Sequence, residues 1–123
     1  IKIFGDSLYS DFGSVVRELV QNCHDAILLA DKSNTGQVII SWDNYEAQLV
    51  VSDNGIGMSK EARKHIFDRF YRVHTGDRHD VKGFGLGLSY VKAIVGEHKG
   101  DITVRSELGK GSRFILFFQH KIT

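Results

Sequence analysis

The chain has 123 residues, 41% hydrophobic and 25% charged, which suits one globular domain and excludes a disordered tail or a collagen-like fibre. Sixteen Lys and Arg against 15 Asp and Glu leave a net charge of +1, far from the basic excess of a dedicated nucleic-acid binder. The single cysteine, Cys23, excludes an intrachain disulfide framework and fits a reducing compartment.

No apolar run is long enough to cross a bilayer, and no signal peptide opens the chain. Ile1 in place of Met reads as the start of a fragment. Residues Ile1 to Phe4 predict a short edge strand. Ser10 or Asp11 can cap a helix whose apolar face, Val15, Val16, Leu19, Val20, Cys23, Ala26, Ile27 and Ala30, runs to about Lys32. Gln37 to Trp42 and Gln48 to Ser52 read as strands joined by the polar hairpin Asp43–Glu46. Asp53 to Gly57 is a sharp turn, and Ser59 caps a short helix through Ile66. Arg72 to Lys82 is polar, charged and without period, the pattern of a mobile segment. A second helix starts after Gly83–Gly87 and ends near His98–Gly100. Asp101 to Ser106 and Ser112 to Phe118 alternate as strands about the turn Gly109–Gly111. The expected fold is a two-layer α/β sandwich, a mixed sheet with helices on one face.

Three groups of residues carry chemistry. Glu18 and Asn22 stand four apart and share a helix face. A carboxylate and a carboxamide one turn apart suit Mg²⁺, which keeps several waters and takes few protein ligands; taken alone, the pair reads rather as a solvated polar rim, since such pairs are common on helix surfaces. Asp53-Asn54-Gly55-Ile56-Gly57-Met58 follows an apolar strand. Its carboxylate can accept from an exocyclic amine, and its glycines leave room for a flat ring; a plain Asx turn is the alternative. Lys82-Gly83-Phe84-Gly85-Leu86-Gly87-Leu88 leads into a helix, where bare amides can receive phosphate. It is neither the dinucleotide fingerprint nor a Walker loop, and alone it also fits a flexible connector. Together the three suit a purine nucleotide with Mg²⁺.

The order and content of these segments resemble the ATP-binding catalytic domain of two-component sensor histidine kinases, over nearly the whole chain. Ile66–Arg72 resembles the F box of that family, Asp53–Gly57 its first glycine box and Gly83–Lys92 its second. Glu97–Gly100 and Gly109–Phe114 match its closing strands, and Asn22 takes the metal-binding position of its N box. The first helix departs from this pattern. Arg17-Glu18-Leu19-Val20-Gln21-Asn22 with Asp25-Ala26 is similar to the gyrase, heat-shock chaperone and mismatch-repair ATPases of the same superfamily. There the residue matching Glu18 is the general base for ATP hydrolysis.

The resemblance implies a Bergerat-type ATP-binding fold over residues 1–123, with the phosphoacceptor dimerisation domain absent. It implies a protein-histidine kinase domain that binds ATP and Mg²⁺. The γ-phosphate would pass to a His on that dimerisation domain, with a response regulator served indirectly. It assigns catalytic roles to Glu18 and Asn22, and the metal to Asn22. It assigns nucleotide contacts to Asn22, Asp25, Ala26, Asp53, Gly55, Ile56, Gly57, Met58, Phe70, Arg72, Lys82, Gly83, Phe84, Gly85, Leu86, Gly87, Leu88 and Ser112. A cytoplasmic location, with no nucleic-acid or membrane contact by this domain, follows from the same resemblance. Two alternatives stand beside it: an ATP hydrolase with Glu18 as base, and a nucleotide-binding or scaffold module without kinase activity. Cys23 reads as a small core residue, and Trp42 as a sheet-face residue alternating with Ile40. None of the six histidines has metal-ligand spacing or the setting of a phosphoacceptor.

Overall fold

A computed structural model describes residues 5–32, 34–69 and 87–118. The strand expected at Ile1–Phe4, the polar segment Arg72–Lys82 and the glycine loop up to Leu86 lie outside them.

Helix α1 spans Gly5–Leu29. Val15, Leu19, Cys23 and Ile27 recur every four residues along it and are all buried. The helix begins earlier than the expected cap at Ser10 or Asp11, because neither a proline nor a β-branched run interrupts Gly5–Ser10. Asp11 instead accepts from His98 Nε2 at 3.1 Å, 87 residues away. The helix closes short of Lys32. Asp31 takes the left-handed conformation at φ 59°, and Lys32 N–H returns to the Ile27 carbonyl at 3.1 Å.

Strands β1 (Val38–Asp43) and β2 (Gln48–Asp53) form a hairpin. Helix α2 (Lys60–His65) starts as expected at Ser59, whose Oγ accepts the Ala62 N–H at 3.0 Å. Helix α3 covers Gly87–Glu97, and β3 (Asp101–Glu107) and β4 (Gly111–Phe117) close the described chain. The sheet order is β1-β2-β4-β3. The sheet was expected to be mixed, yet every pairing among the described strands is antiparallel. The connection through α2 and α3 does bring β3 parallel to β2, but β4 turns back and inserts between them.

Both long helices pack on one face of this sheet. Leu49, Val51, Ile102, Phe114 and Leu116 point inward and meet Val15, Leu19 and Cys23 of α1 and Val91 and Val95 of α3. Burying each large aliphatic side chain contributes about 1.5–3 kcal/mol. Trp42 is a sheet-face residue as expected, set edge-on to Phe12 at 5.9 Å and tilted against Phe118 at 6.1 Å. Helices α1 and α3 run antiparallel. His98 meets Asp11 at one end, and Gly87 meets Glu18 and Asn22 at the other.

Candidate functional site

Asp53 ends β2 where the strand leaves the sheet and turns under α1. Its Oδ1 accepts the Gly55 N–H at 2.7 Å, an Asx turn. Its Oδ2 is buried and has no hydrogen-bond partner. Burial raises the pKa of this carboxyl above the ordinary Asp range. The Gly55 N–H, the Cys23 thiol, the Ser112 N–H and the charge of Lys32 oppose that rise. Burial first, and then the neighbouring Asp53 charge, push the Cys23 thiol far up, so Cys23 stays protonated.

Ser112 stands directly across the ladder from Asp53. It is buried, and its Oγ lies 2.9 Å from Ser106 Oγ. Ser106 Oγ in turn accepts the Met58 N–H at 2.8 Å and donates to the Gly111 carbonyl at 2.9 Å. The turn after β2 is therefore tied to the β3–β4 hairpin. Gly109 N–H completes that tie on the Ile56 carbonyl at 2.7 Å.

The two glycines of the turn do not leave space for a ring in the way the sequence suggests. A Cβ on Gly55 would lie 2.5 Å from the Ala26 carbonyl carbon and 2.7 Å from the Ile27 nitrogen. Gly57 adopts φ +73°, and a Cβ there would strike the Glu107 carbonyl. Both glycines let backbone meet backbone, and Ile56 N–H reaches the Ala26 carbonyl at 3.0 Å. They shape the wall behind Asp53. Asn54 closes the other side. Its Oδ1 accepts the Gln37 N–H at 2.8 Å, its Nδ2 donates to the Thr35 carbonyl at 3.0 Å, and its own carbonyl accepts Lys32 Nζ at 2.9 Å.

A second cluster lies on the same helix. A Cβ on Gly87 would stand 2.8 Å from Glu18 Oε1 and 3.8 Å from Asn22 Nδ2. The start of α3 at Gly87 thus faces both residues. Among the described residues no group of three His, Cys, Asp or Glu could hold a metal. Glu18 and Asn22 offer two hard oxygen donors, a set that fits Mg²⁺ carrying most of its own water. Asp25 is engaged locally, by Gln21 Nε2 at 3.0 Å and His24 Nδ1 at 3.8 Å.

The structure therefore brings Asp53, Gly55, Ile56, Gly57 and Ser112 together, and Glu18, Asn22 and Gly87 together, with Ala26 one helical turn beyond Asn22. Met58 and Leu88, both expected as nucleotide contacts, are buried within the hydrophobic core. Phe70, Arg72, Lys82, Gly83, Phe84, Gly85 and Leu86 lie outside the described residues. Sequence reasoning missed Cys23 and Lys32 as neighbours of Asp53, and Ser106 as the tie between Met58 and Ser112. Only Cys23 carried a signal, its place one residue after Asn22.

Comparison with known proteins agrees with this geometry. The family described as histidine kinase-, DNA gyrase B- and HSP90-like ATPase matches residues 9–122. The sensor protein RprX of Bacteroides fragilis is 59% identical over 78 residues, 62% of this chain and 15% of its own. The sensor protein CiaH of Streptococcus pneumoniae is 43% identical over 90 residues, 73% of this chain and 20% of its own. The chain thus spans a fifth or less of these relatives. Among solved structures, the mycobacterial sensor histidine kinase MprB superposes with a TM-score of 0.72 at 26% identity, covering 94% of this chain and 74% of that one. The nucleotide-free catalytic domain of histidine kinase ThkA gives a TM-score of 0.68 at 28% identity, covering 89% and 67%.

Proposed function

Because the chain belongs to the histidine kinase-, DNA gyrase B- and HSP90-like ATPase family, we propose that it is the ATP-binding catalytic domain of a sensor histidine kinase. In this reading it binds Mg-ATP and presents the γ-phosphate to a His on a separate dimerisation domain, on the cytoplasmic side of a longer sensor. The observation that carries the reading is Asp53 Oδ2, a buried acceptor without a partner at the end of a strand. Such an atom costs free energy unless a donor arrives, and the exocyclic amine of adenine is a donor of the right kind. No described helix is long and apolar enough to cross a membrane.

Each part of the site then has a task. Asp53 accepts from the adenine amine, and Ser112 and the Ser106 hydroxyl hold the strand beside it. Asn22 holds the metal with Glu18 beside it, and the first turn of α3 at Gly87 offers amides to phosphate. Bound Mg²⁺ supplies neutralisation of phosphate charge. Phosphoryl transfer needs little covalent chemistry from the protein, so positioning and charge carry the step. Glu18 supports a second reading, ATP hydrolysis, because its carboxylate faces the helix start where phosphate would lie. There it would take the proton of an attacking water.

The test is calorimetric titration with ATP and Mg²⁺, followed by incubation with a phosphoacceptor dimerisation domain. Nucleotide binding and acid-labile phosphate on the acceptor His support the kinase reading. Binding with brisk release of inorganic phosphate supports the hydrolase, and absence of binding refutes both.

A further inference from the structure

The two edges of the sheet differ in chemistry. β3 carries Asp101, Arg105 and Glu107 along its length, charges of the kind that keep an edge from pairing with another chain. β1 reads Val-Ile-Ile-Ser-Trp-Asp. Its one charge stands at its end, and it pairs with β2 residue for residue without a bulge. Charge, proline and bulge, the devices that blunt an edge, are all missing from its body. Among the described residues no strand covers its outer side, where alternate residues turn N–H and C=O away from β2.

Ile40 and Trp42 oppose Val51 and Leu49 of β2, so both face the helix layer, and Trp42 meets Phe12 and Phe118 there. Helix α1 lies mainly over β2 and leaves Ile40 49% and Trp42 47% exposed. Ile39, on the other face, is 57% exposed. β1 thus offers unpaired backbone together with apolar side chains on both faces. An extended strand satisfies all of these at once; a helix or a nucleic acid does not.

We propose that β1 is a self-association edge: two copies of this chain pair their β1 strands antiparallel about a two-fold axis at Ile40, joining two four-stranded sheets into one. Opposed residues of an antiparallel pair share a face, so the two-fold sits on a residue and not between two. On Ile40 it sets Val38 against Trp42 and Ile40 against itself on the helix side, and Ile39 against Ser41 on the other. Asp43 stays outside the overlap, whereas a two-fold on Ser41 sets Asp43 against Ile39. The helices do not obstruct this pairing. The two β2 strands would lie three strand spacings apart, about 14 Å. The α1 helices above them would stand equally far apart, wider than the roughly 8–10 Å of helices in contact. One strand pair and these side chains bury less than the roughly 1,200–2,000 Å² of a standard interface, so the association is weak and concentration-dependent.

Trp42 is the single tryptophan of the chain and lies in the seam, so its emission and the mass by sedimentation equilibrium read the same event. Between about 1 µM and 1 mM the mass should rise toward twice that of the chain, and Trp42 emission should shift to the blue. I40K sets two ammoniums opposite each other across the two-fold and should weaken association at least tenfold, as should I40E. An equimolar mixture of the two should restore the dimer, a recovery that misfolding does not imitate. Should either variant fail to fold, by its melting curve, I40C carries the test: mild oxidation should link it into dimers, and link S41C at least tenfold less. A chain that stays monomeric over the whole range overturns the proposal, including the case in which its own Ile1–Phe4 takes this edge. So does association that neither charged variant weakens or that their mixture does not restore, or equal linking of I40C and S41C.

Discussion

Asp53→Asn separates the two things this carboxyl does, because it keeps the shape and removes the charge. One oxygen of the carboxyl is already committed to the Gly55 N–H at 2.7 Å, and a carboxamide oxygen can keep that bond. The second position, the unpartnered Oδ2, becomes an NH₂ that meets the adenine amine donor to donor. Losing a buried acceptor and leaving a ligand donor unpaired costs about 1–3 kcal/mol, hence ATP affinity should fall roughly ten- to a hundredfold, at 1.4 kcal/mol per decade. Stability should move the other way. Burial raises the Asp53 pKa in the folded state, so its contribution is fully present below the unfolded pKa and is lost as pH rises through the folded value. At neutral pH the unliganded protein therefore bears a carboxylate that burial penalises, and the neutral amide relieves it. The melting temperature of Asp53→Asn should equal or exceed that of the unmodified chain at pH 7, and the advantage should shrink toward pH 4. Calorimetry with ADP and melting curves across that range measure both effects. Unchanged nucleotide affinity would remove Asp53 from the site, and a lower melting temperature at pH 7 would refute the burial argument.

Glu18→Gln should reduce any phosphate release by the isolated domain on the order of 10²-fold if Glu18 is a general base, while ADP affinity barely moves; colorimetric phosphate assay decides, and slow release in both proteins favours the kinase reading. Gly55→Ala should destabilise the domain by about 1–3 kcal/mol, since its Cβ would lie 2.5 Å from α1 backbone; a melting temperature within a degree of the unmodified chain would show that α1 yields. Cys23, fully buried and held protonated, should resist a thiol-selective disulfide reagent at pH 8 until urea unfolds the chain, and fast labelling of the native protein would contradict that. Arg113→Glu should raise stability by about 0.2–1 kcal/mol by placing a carboxylate opposite Arg105, its cross-strand partner on β3, read as an upward shift of the urea midpoint; an unchanged or lower midpoint would mean that the guanidiniums of Arg105 and Arg113 do not oppose each other.

The local features were legible because their causes are local. The Ser59 cap, the turns at Asp53–Gly57 and Gly109–Gly111 and the alternation of the strands each depend on residues within a few positions of one another. The Asx turn of Asp53 was legible for the same reason, a carboxylate followed by Asn-Gly after an apolar strand. What escaped was set by distant partners. Asp11 looked like a helix cap because His98, which takes its carboxylate, is 87 residues further on. Gly55 looked like room for a ring because nothing near it in the chain shows that α1 backbone fills the space. The antiparallel sheet escaped because the strand order 1-2-4-3 depends on where β4 inserts, and strand periodicity carries no information on neighbours.

The insertion of β4 also bears on how the protein is made. β4 is the last described element to leave the ribosome, yet it pairs with both β2 and β3 and supplies Phe114 and Leu116 to the core. Until it emerges, the inward residues Leu49 and Val51 of β2 lack their cross-strand partners Leu116 and Phe114, and α1 has only a two-stranded hairpin to lie on. A lone hairpin of that size is marginal in water. The nascent domain should therefore remain open, with its apolar helix face accessible to chaperones, through most of its synthesis, and close in one late step when the central strand arrives. A translational pause just after β4 would help folding, and one just before it would hold the chain in its most aggregation-prone form.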